Sequence, residues 1–411
     1  MRKRMGIAIA GIALASVMSF TACQNAGGSS SQSGTSGTPG TSAEAITQEN
    51  KTEEDGLSEK SFTPSEEYVK QIGRSQMNSG NVLWLIHSGS AVEFTFTGTK
   101  ASVIMQGDST GVPGNRDSAA RFAVYVDDER VMDEQMLQMQ KEFEIPLSGG
   151  EKEYKVKIIK LSEAANSIIG IKSIDVTSKG DIKPTAAKDL KIEFIGDSIT
   201  CGYGVDDEDK EHHFATSTED ATKAYAFKTA ALLDADYSLV SFSGHGIISG
   251  YSGDGQKVEE QLVPPVYTKL GKSYATGGNI SLDETDWDFT RFVPDVVVVN
   301  LGTNDASYTG SDKDKRKDYT DSYVEFIKVI REKNPDAHIL CTLGIMGTEL
   351  CSSMHDAVDA YVSETGDEKI SYMDFAMQSA SDGYAADWHP TEKTHTKAAE
   401  KLAEEIKALI K

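Results

Sequence analysis

At 411 residues, with 38% apolar and 8% aromatic residues, the chain holds enough material for two packed domains plus segments that carry no core. Its four cysteines are too few for a disulfide scaffold. A formal net charge of −23 repels phosphate backbones, which argues against a nucleic-acid partner.

In chain order, the first feature is Arg2-Lys3-Arg4, then an apolar run over residues 5–20, then Thr21-Ala22-Cys23. A basic start, a short apolar core and small residues at a cleavage point are the layout of a secretory signal, and the run is too short for a membrane span to be expected. With a cysteine at the cleavage point, residues 1–23 resemble a bacterial lipoprotein signal, although Phe20 stands where that motif usually has leucine. The resemblance implies export, lipidation of Cys23 and a membrane anchor at the cell surface; a plain cleaved signal and secretion is the alternative. Residues 24–60 are Gly, Ser, Thr and mixed charge, and read as a flexible tether.

Between residues 61 and 180, segments rich in β-branched and aromatic residues fall at 81–87, 91–96, 101–105, 121–126, 141–145, 153–161 and 169–176. Gly, Ser, Asp and Asn punctuate most of the gaps, which predicts an all-β, jelly-roll-like sandwich. From 190 to 411 the pattern changes. Apolar runs at 191–195, 237–242, 296–301, 339–343 and 370–375 suit strands buried in a parallel sheet. Helical stretches at 224–233, 319–333, 350–364 and 391–410 alternate with them, which predicts an α/β domain with its site at the C-terminal ends of the strands.

Four segments then converge on one sheet edge: Gly196-Asp197-Ser198-Ile199-Thr200, Ser243-Gly244-His245-Gly246, Gly302-Thr303-Asn304-Asp305 and Asp387-Trp388-His389-Pro390. Each supplies a part of acyl transfer. A serine hydroxyl needs an imidazole to take its proton, and the developing oxyanion needs N–H donors already in place. Ser198 with His389 provides the first. The backbone N–H of Ser198, that of Gly246 or Gly244, and the Asn304 amide provide the second.

In this order the four segments resemble the consensus blocks of the SGNH, or GDSL-type, hydrolases, whose Ser, Gly, Asn and His match Ser198, Gly246 or Gly244, Asn304 and His389. A β-sandwich ahead of Ile192-Glu193-Phe194-Ile195-Gly196-Asp197-Ser198-Ile199-Thr200-Cys201-Gly202-Tyr203-Gly204 is similar to carbohydrate esterase family 2. The resemblance implies a flavodoxin-like hydrolase domain and an esterase that removes O-acetyl groups from polysaccharides or oligosaccharides, with no metal or other cofactor. Many SGNH enzymes place the acidic triad member three residues before the histidine; here that position is Ala386, and Asp387 lies two before it. The imidazole is therefore oriented either by Asp387, as in a triad, or by a backbone carbonyl, as in a dyad.

Other residues carry plainer readings. Asp197 is expected to cap a helix rather than act on substrate. His212 and His213 lie in an acidic loop without fixed ligand spacing, so a solvated loop is expected rather than a metal site. His245 either faces substrate or packs, and His395 is expected on the surface. Trp287 and Trp388 are core residues or sugar platforms. Cys341 reads as a small buried hydrophobe; a bridge from it to Cys351 and the thiol state of Cys201 are left open. Gly244-His245-Gly246-Ile247-Ile248-Ser249 approaches a dinucleotide fingerprint but ends in serine, with no other cofactor signal. The alternatives to an acetylesterase are a lipase or thioesterase, an esterase of peptidoglycan acetyl groups, and a non-catalytic carbohydrate-binding surface lipoprotein.

Overall fold

The computed structural model describes residues 56–410; Cys23, the signal and most of the tether lie outside the described residues. The first half of the chain is antiparallel. Its strands are β1 (Ser58–Phe62), β2 (Lys70–Ile72), β3 (Ser75–Met77), β4 (Leu83–Leu85), β5 (Ala91–Gly107), β6 (Arg121–Val126), β7 (Glu129–Gln135), β8 (Gln140–Glu144), β9 (Lys152–Lys160), β10 (Ile169–Ser178) and β11 (Lys183–Pro184). Strand β1 begins inside the stretch read as tether.

The two runs read as separate strands at 91–96 and 101–105 form one strand, β5. Its first part pairs with β2, β9 and β11, and its second with β8 and β10. Gly98, which reads as a turn residue, instead meets a register shift in β10: a Cβ there would lie 2.2 Å from the Thr177 carbonyl oxygen. Alternate residues Val92, Phe94, Phe96, Ala101, Val103 and Met105 enter one core. Strand β7 carries Glu129-Arg130-Val131-Met132-Asp133-Glu134-Gln135, so no apolar run announces it. It forms because Asp127 and Asp128, both at positive φ (52° and 69°), close a two-residue hairpin onto β6.

The second half contains β12 (Lys191–Gly196), α1 (Ser198–Cys201), α2 (Tyr225–Leu232), β13 (Asp236–Ser241), α3 (Pro264–Tyr267), β14 (Val296–Asn300), α4 (Thr303–Thr309), α5 (Lys313–Lys333), β15 (His338–Leu343), α6 (Cys351–Thr365), β16 (Ile370–Asp374) and α7 (Glu392–Leu409). The five strands are parallel in the order β13-β12-β14-β15-β16, the flavodoxin-like arrangement. Residues of β14 alternate between two cores. Val297 and Val299 pack with α5 and α6, while Val296 and Val298 share a core with α2 and α7.

Two helical expectations change. Helix α5 starts at Lys313 rather than 319, because Asp312 caps the N–H groups of Asp314 and Lys315 and so supports a first turn with no apolar residue. His395 is fully buried, not on the surface, and its Nδ1 accepts the Tyr225 N–H at 3.2 Å. It precedes Ala399, Leu402 and Ile406 at helical spacing, so it belongs to the buried face of α7.

The described residues, 56–410, belong to one compact unit. Arg74, from the antiparallel half, is fully buried against the parallel half. Its guanidinium donates to the carbonyls of Tyr267 (2.6 Å) and Lys269, lies 3.6 Å from Glu193, and sits over the rings of Tyr267, Trp287 and Phe289. Trp287 is thus a core residue.

Candidate active site

Strand register brings the loops together. Gly196, at the end of β12, stands beside Ser241 of β13 and Asn300 of β14, so three catalytic segments leave the sheet at one height. The chain after Gly196 turns at once into α1, whose cap is Asp197: its carboxylate accepts the Ile199 N–H at 3.0 Å. Burial pushes the Asp197 carboxyl up to about 7. Asp197 is a cap, as its position beside a helix start implies.

Ser198 opens α1, and its Oγ lies 2.9 Å from His389 Nε2. Burial pushes the His389 imidazole down to about 4, so it is neutral at neutral pH and able to accept the serine proton. Its other nitrogen, Nδ1, is 3.2 Å from the backbone oxygens of both Ala386 and Asp387. Carbonyls only accept, so Nδ1 carries the hydrogen and Nε2 presents its lone pair to Ser198.

The Asp387 carboxylate therefore does not fill the acidic triad place that its spacing offered it. It accepts from the Tyr203 hydroxyl (2.8 Å) and the Phe214 N–H (3.0 Å), and pairs with His213 Nδ1 (2.9 Å). Burial would raise this carboxyl, but these bonds outweigh it and hold it below its ordinary value. The physical reason lies in the backbone. Asp387 and Trp388 are both left-handed (φ 49° and 64°), a conformation costly for non-glycine residues, which turns the Asp387 carbonyl toward the imidazole and its side chain away. Tyr203 in turn stacks on the His389 ring, centroids 3.9 Å apart.

The oxyanion donors resolve similarly. Gly246 is not a donor to substrate, because its N–H is bonded to the Gln261 carbonyl (3.1 Å). It is glycine for packing, since a Cβ would lie 2.1 Å from the Ser249 oxygen. Gly244 lines the cavity at φ 73°, and its N–H has no protein acceptor among the described residues. Asn304 lines the same cavity; its amide donates to the His245 carbonyl at 2.9 Å and reaches Asp197 only at 3.4 Å, which leaves a hydrogen able to turn to a substrate oxygen. As first residue of α1, Ser198 has a backbone N–H without an intrahelical acceptor. His245 packs: it is buried, and its Nδ1 bonds the Ser243 carbonyl (2.9 Å).

Ser198, Gly244, Asn304 and His389 share a cavity of about 580 Å³, walled also by Tyr203, Thr303, Met346 and two exposed rings, Tyr251 (64% exposed) and Trp388 (46%). Tyr203, Tyr251 and Met346 escaped the sequence reading. Tyr203 lies inside the first block, where only its place next to the nucleophile could have drawn notice. His212 and His213 pair with Asp207 and Asp387 in an exposed loop. Glu163, Cys201 and Glu219 are the one group of three among the described residues with possible metal-ligating atoms mutually within 4.8 Å. Glu163 and Glu219 are occupied by backbone N–H groups, of Ser243 and Glu163 respectively. Cys201, Cys341 and Cys351 are free thiols.

A serine–histidine pair with three convergent donors, at the C-terminal edge of this sheet, defines a hydrolase of the SGNH class. Comparison with known proteins agrees: residues 194–397 match the GDSL-like lipase/acylhydrolase family, and residues 71–185 match the carbohydrate esterase 2 N-terminal domain. The chain belongs to carbohydrate esterase family 2. It is 32% identical over 358 residues to the cellulase/esterase CelE of Acetivibrio thermocellus, covering 85% of this chain but only 40% of that protein's length. It is 27% identical to an acetylxylan esterase/glucomannan deacetylase of Cellvibrio japonicus, over 84% of this chain and 90% of that one. Among solved structures, a family two carbohydrate esterase from Clostridium thermocellum in complex with cellohexaose superimposes with a TM-score of 0.72 at 31% identity, covering 83% of this chain and 99% of that one.

Proposed function

We propose that this protein is a serine esterase that removes O-acetyl groups from polysaccharides or oligosaccharides. The observation that carries the reading is the 2.9 Å contact between Ser198 Oγ and a neutral His389, in a cavity that Gly244 and Asn304 also line. Ser198 attacks the ester carbonyl while His389 Nε2 takes its proton. The oxyanion accepts from Ser198, Gly244 and Asn304, and His389 returns the proton to the departing sugar hydroxyl. Water, deprotonated by His389, then splits the acetyl-enzyme and releases acetate. Relatives named as acetylxylan esterase and glucomannan deacetylase, and one structure holding cellohexaose, support acetylated glycan as the substrate class. Tyr251 and Trp388 offer exposed aromatic faces beside the nucleophile on which sugar rings can stack. Acetate release from a panel of acetylated polysaccharides is the test: turnover is expected for wild type and lost in Ser198→Ala, and undiminished turnover in that variant would sink the reading.

Export and a lipid anchor on Cys23 are part of the proposal, supported by the basic, apolar and small-residue order of residues 2–23. Cells grown with a labelled fatty acid should label the wild-type protein in the membrane fraction and fail to label Cys23→Ala.

A further inference from the structure

We propose that Glu163, contributed by the antiparallel half, is a positioning residue of the active site that holds the oxyanion loop against the nucleophile helix. This deepens the esterase reading and rests on it. Glu163 lies in the loop between β9 and β10, far in sequence from any catalytic segment, and is buried. One carboxylate oxygen, Oε2, accepts the backbone N–H of Ser243 at 2.7 Å and faces the Cys201 thiol at 3.7 Å. Ser243 immediately precedes Gly244, the oxyanion glycine, and Cys201 ends α1, the helix that Ser198 opens. A single oxygen thus ties the first catalytic block to the second.

Glu163 is itself held on every side. Its second oxygen, Oε1, accepts from the Asn166 amide at 2.9 Å, its N–H donates to the Glu219 carboxyl at 2.8 Å, and its carbonyl accepts from buried Lys160 at 3.0 Å. Glu219 belongs to the parallel half, so the clamp closes from both halves. Burying a carboxyl is costly, and a structural loop could do without one. Here the group is spent on a short N–H bond one residue before a glycine at φ 73°, whose orientation sets where its own N–H points. Because an oxyanion donor must already be aimed when charge develops, a small rotation of the 243–244 peptide acts on the transition state more than on bound substrate.

Glu163→Ala also empties a buried site, so the informative variants keep it filled. Glu163→Asp withdraws the carboxylate by one methylene; Glu163→Gln keeps an acceptor in place, and Asn166, which is only half buried, can turn its amide to suit. The expected result is a kcat about 10–100-fold lower in Glu163→Asp with KM within about threefold, and most of kcat retained in Glu163→Gln. Affinity for an alkylboronic acid, which Ser198 captures as a tetrahedral oxyanion mimic, should fall in parallel with kcat in the aspartate variant. A kcat within about twofold of wild type in Glu163→Asp, a glutamine variant as impaired as the aspartate one, or boronate affinity that does not follow kcat would each overturn the proposal. Wild type that releases no acetate from any substrate would defeat the esterase reading instead, while boronate affinity across the same variants still tests the positioning.

Discussion

Two ways of orienting an imidazole are separated by removing the charge at Asp387. A carboxylate bonded to the imidazole Nδ1–H is worth about 10⁴ in kcat in serine-protease triads. Here the Nδ1 partners are the carbonyls of Ala386 and Asp387, which Asp387→Asn keeps. The variant is expected to lose less than about tenfold in kcat, measured as acetate release; a loss near 10⁴ would place the carboxylate on the imidazole after all. The pH profile belongs at this scale too. His389 acts as a base only when neutral, and burial places its pKa at about 4, so kcat/KM should rise with pH to half its maximum near pH 4 and stay level through neutrality. A midpoint near 6.5 would describe a solvated imidazole, contrary to the packing of Tyr203 and α1 around it.

Among the elements, α7 shows how a polar residue on a buried face ties stability to pH. Burial pushes the His395 imidazole down to about 3. Its folded pKa lies below its unfolded value, so the stability linked to its neutral form is complete above about pH 6.5 and is lost as pH falls below that. At about 1.4 kcal/mol per unit, this one group accounts for on the order of 3 kcal/mol by pH 4. Denaturant titrations at pH 7 and pH 4 should show His395→Gln, which keeps an acceptor for the Tyr225 N–H, losing less stability between the two than wild type. Equal losses would mean that His395 ionises freely within the fold.

At the scale of the molecule, the union of the halves depends on buried polar contacts that cross between them. Arg74 meets Glu193 and two backbone carbonyls of the parallel half without exposure to water, and the Glu193 carboxylate also accepts from Tyr267. Removing the guanidinium leaves a buried carboxylate short of its counter-charge, which costs about 3–5 kcal/mol. Arg74→Ala is therefore expected to lower unfolding stability by about that amount, and Arg74→Ala with Glu193→Gln to recover part of it; a shift under about 1 kcal/mol would show that the carboxylate needs no partner. With Glu163 reaching across in the same direction to Ser243, the antiparallel half completes two polar clusters in its neighbour, and the two halves should unfold in one transition.

Local order along the chain was enough to read the alternation of strands and helices from 190 onward, because buried parallel strands are short apolar runs and amphipathic helices keep a 3.6 period. It was also enough to bring Ser198, Asn304 and His389 to one edge, since every strand of such a sheet ends on the same side. Where polar residues build an element, as in β7 and the first turn of α5, periodicity is silent and a turn or a cap decides instead. Spacing could not choose between Gly244 and Gly246, or between the side chain and the carbonyl of Asp387: those choices depend on which N–H is already bonded and on left-handed backbone at 387–388. Nor could it join Glu163 to Ser243, eighty positions apart, because that contact exists only once two separately patterned halves have packed together.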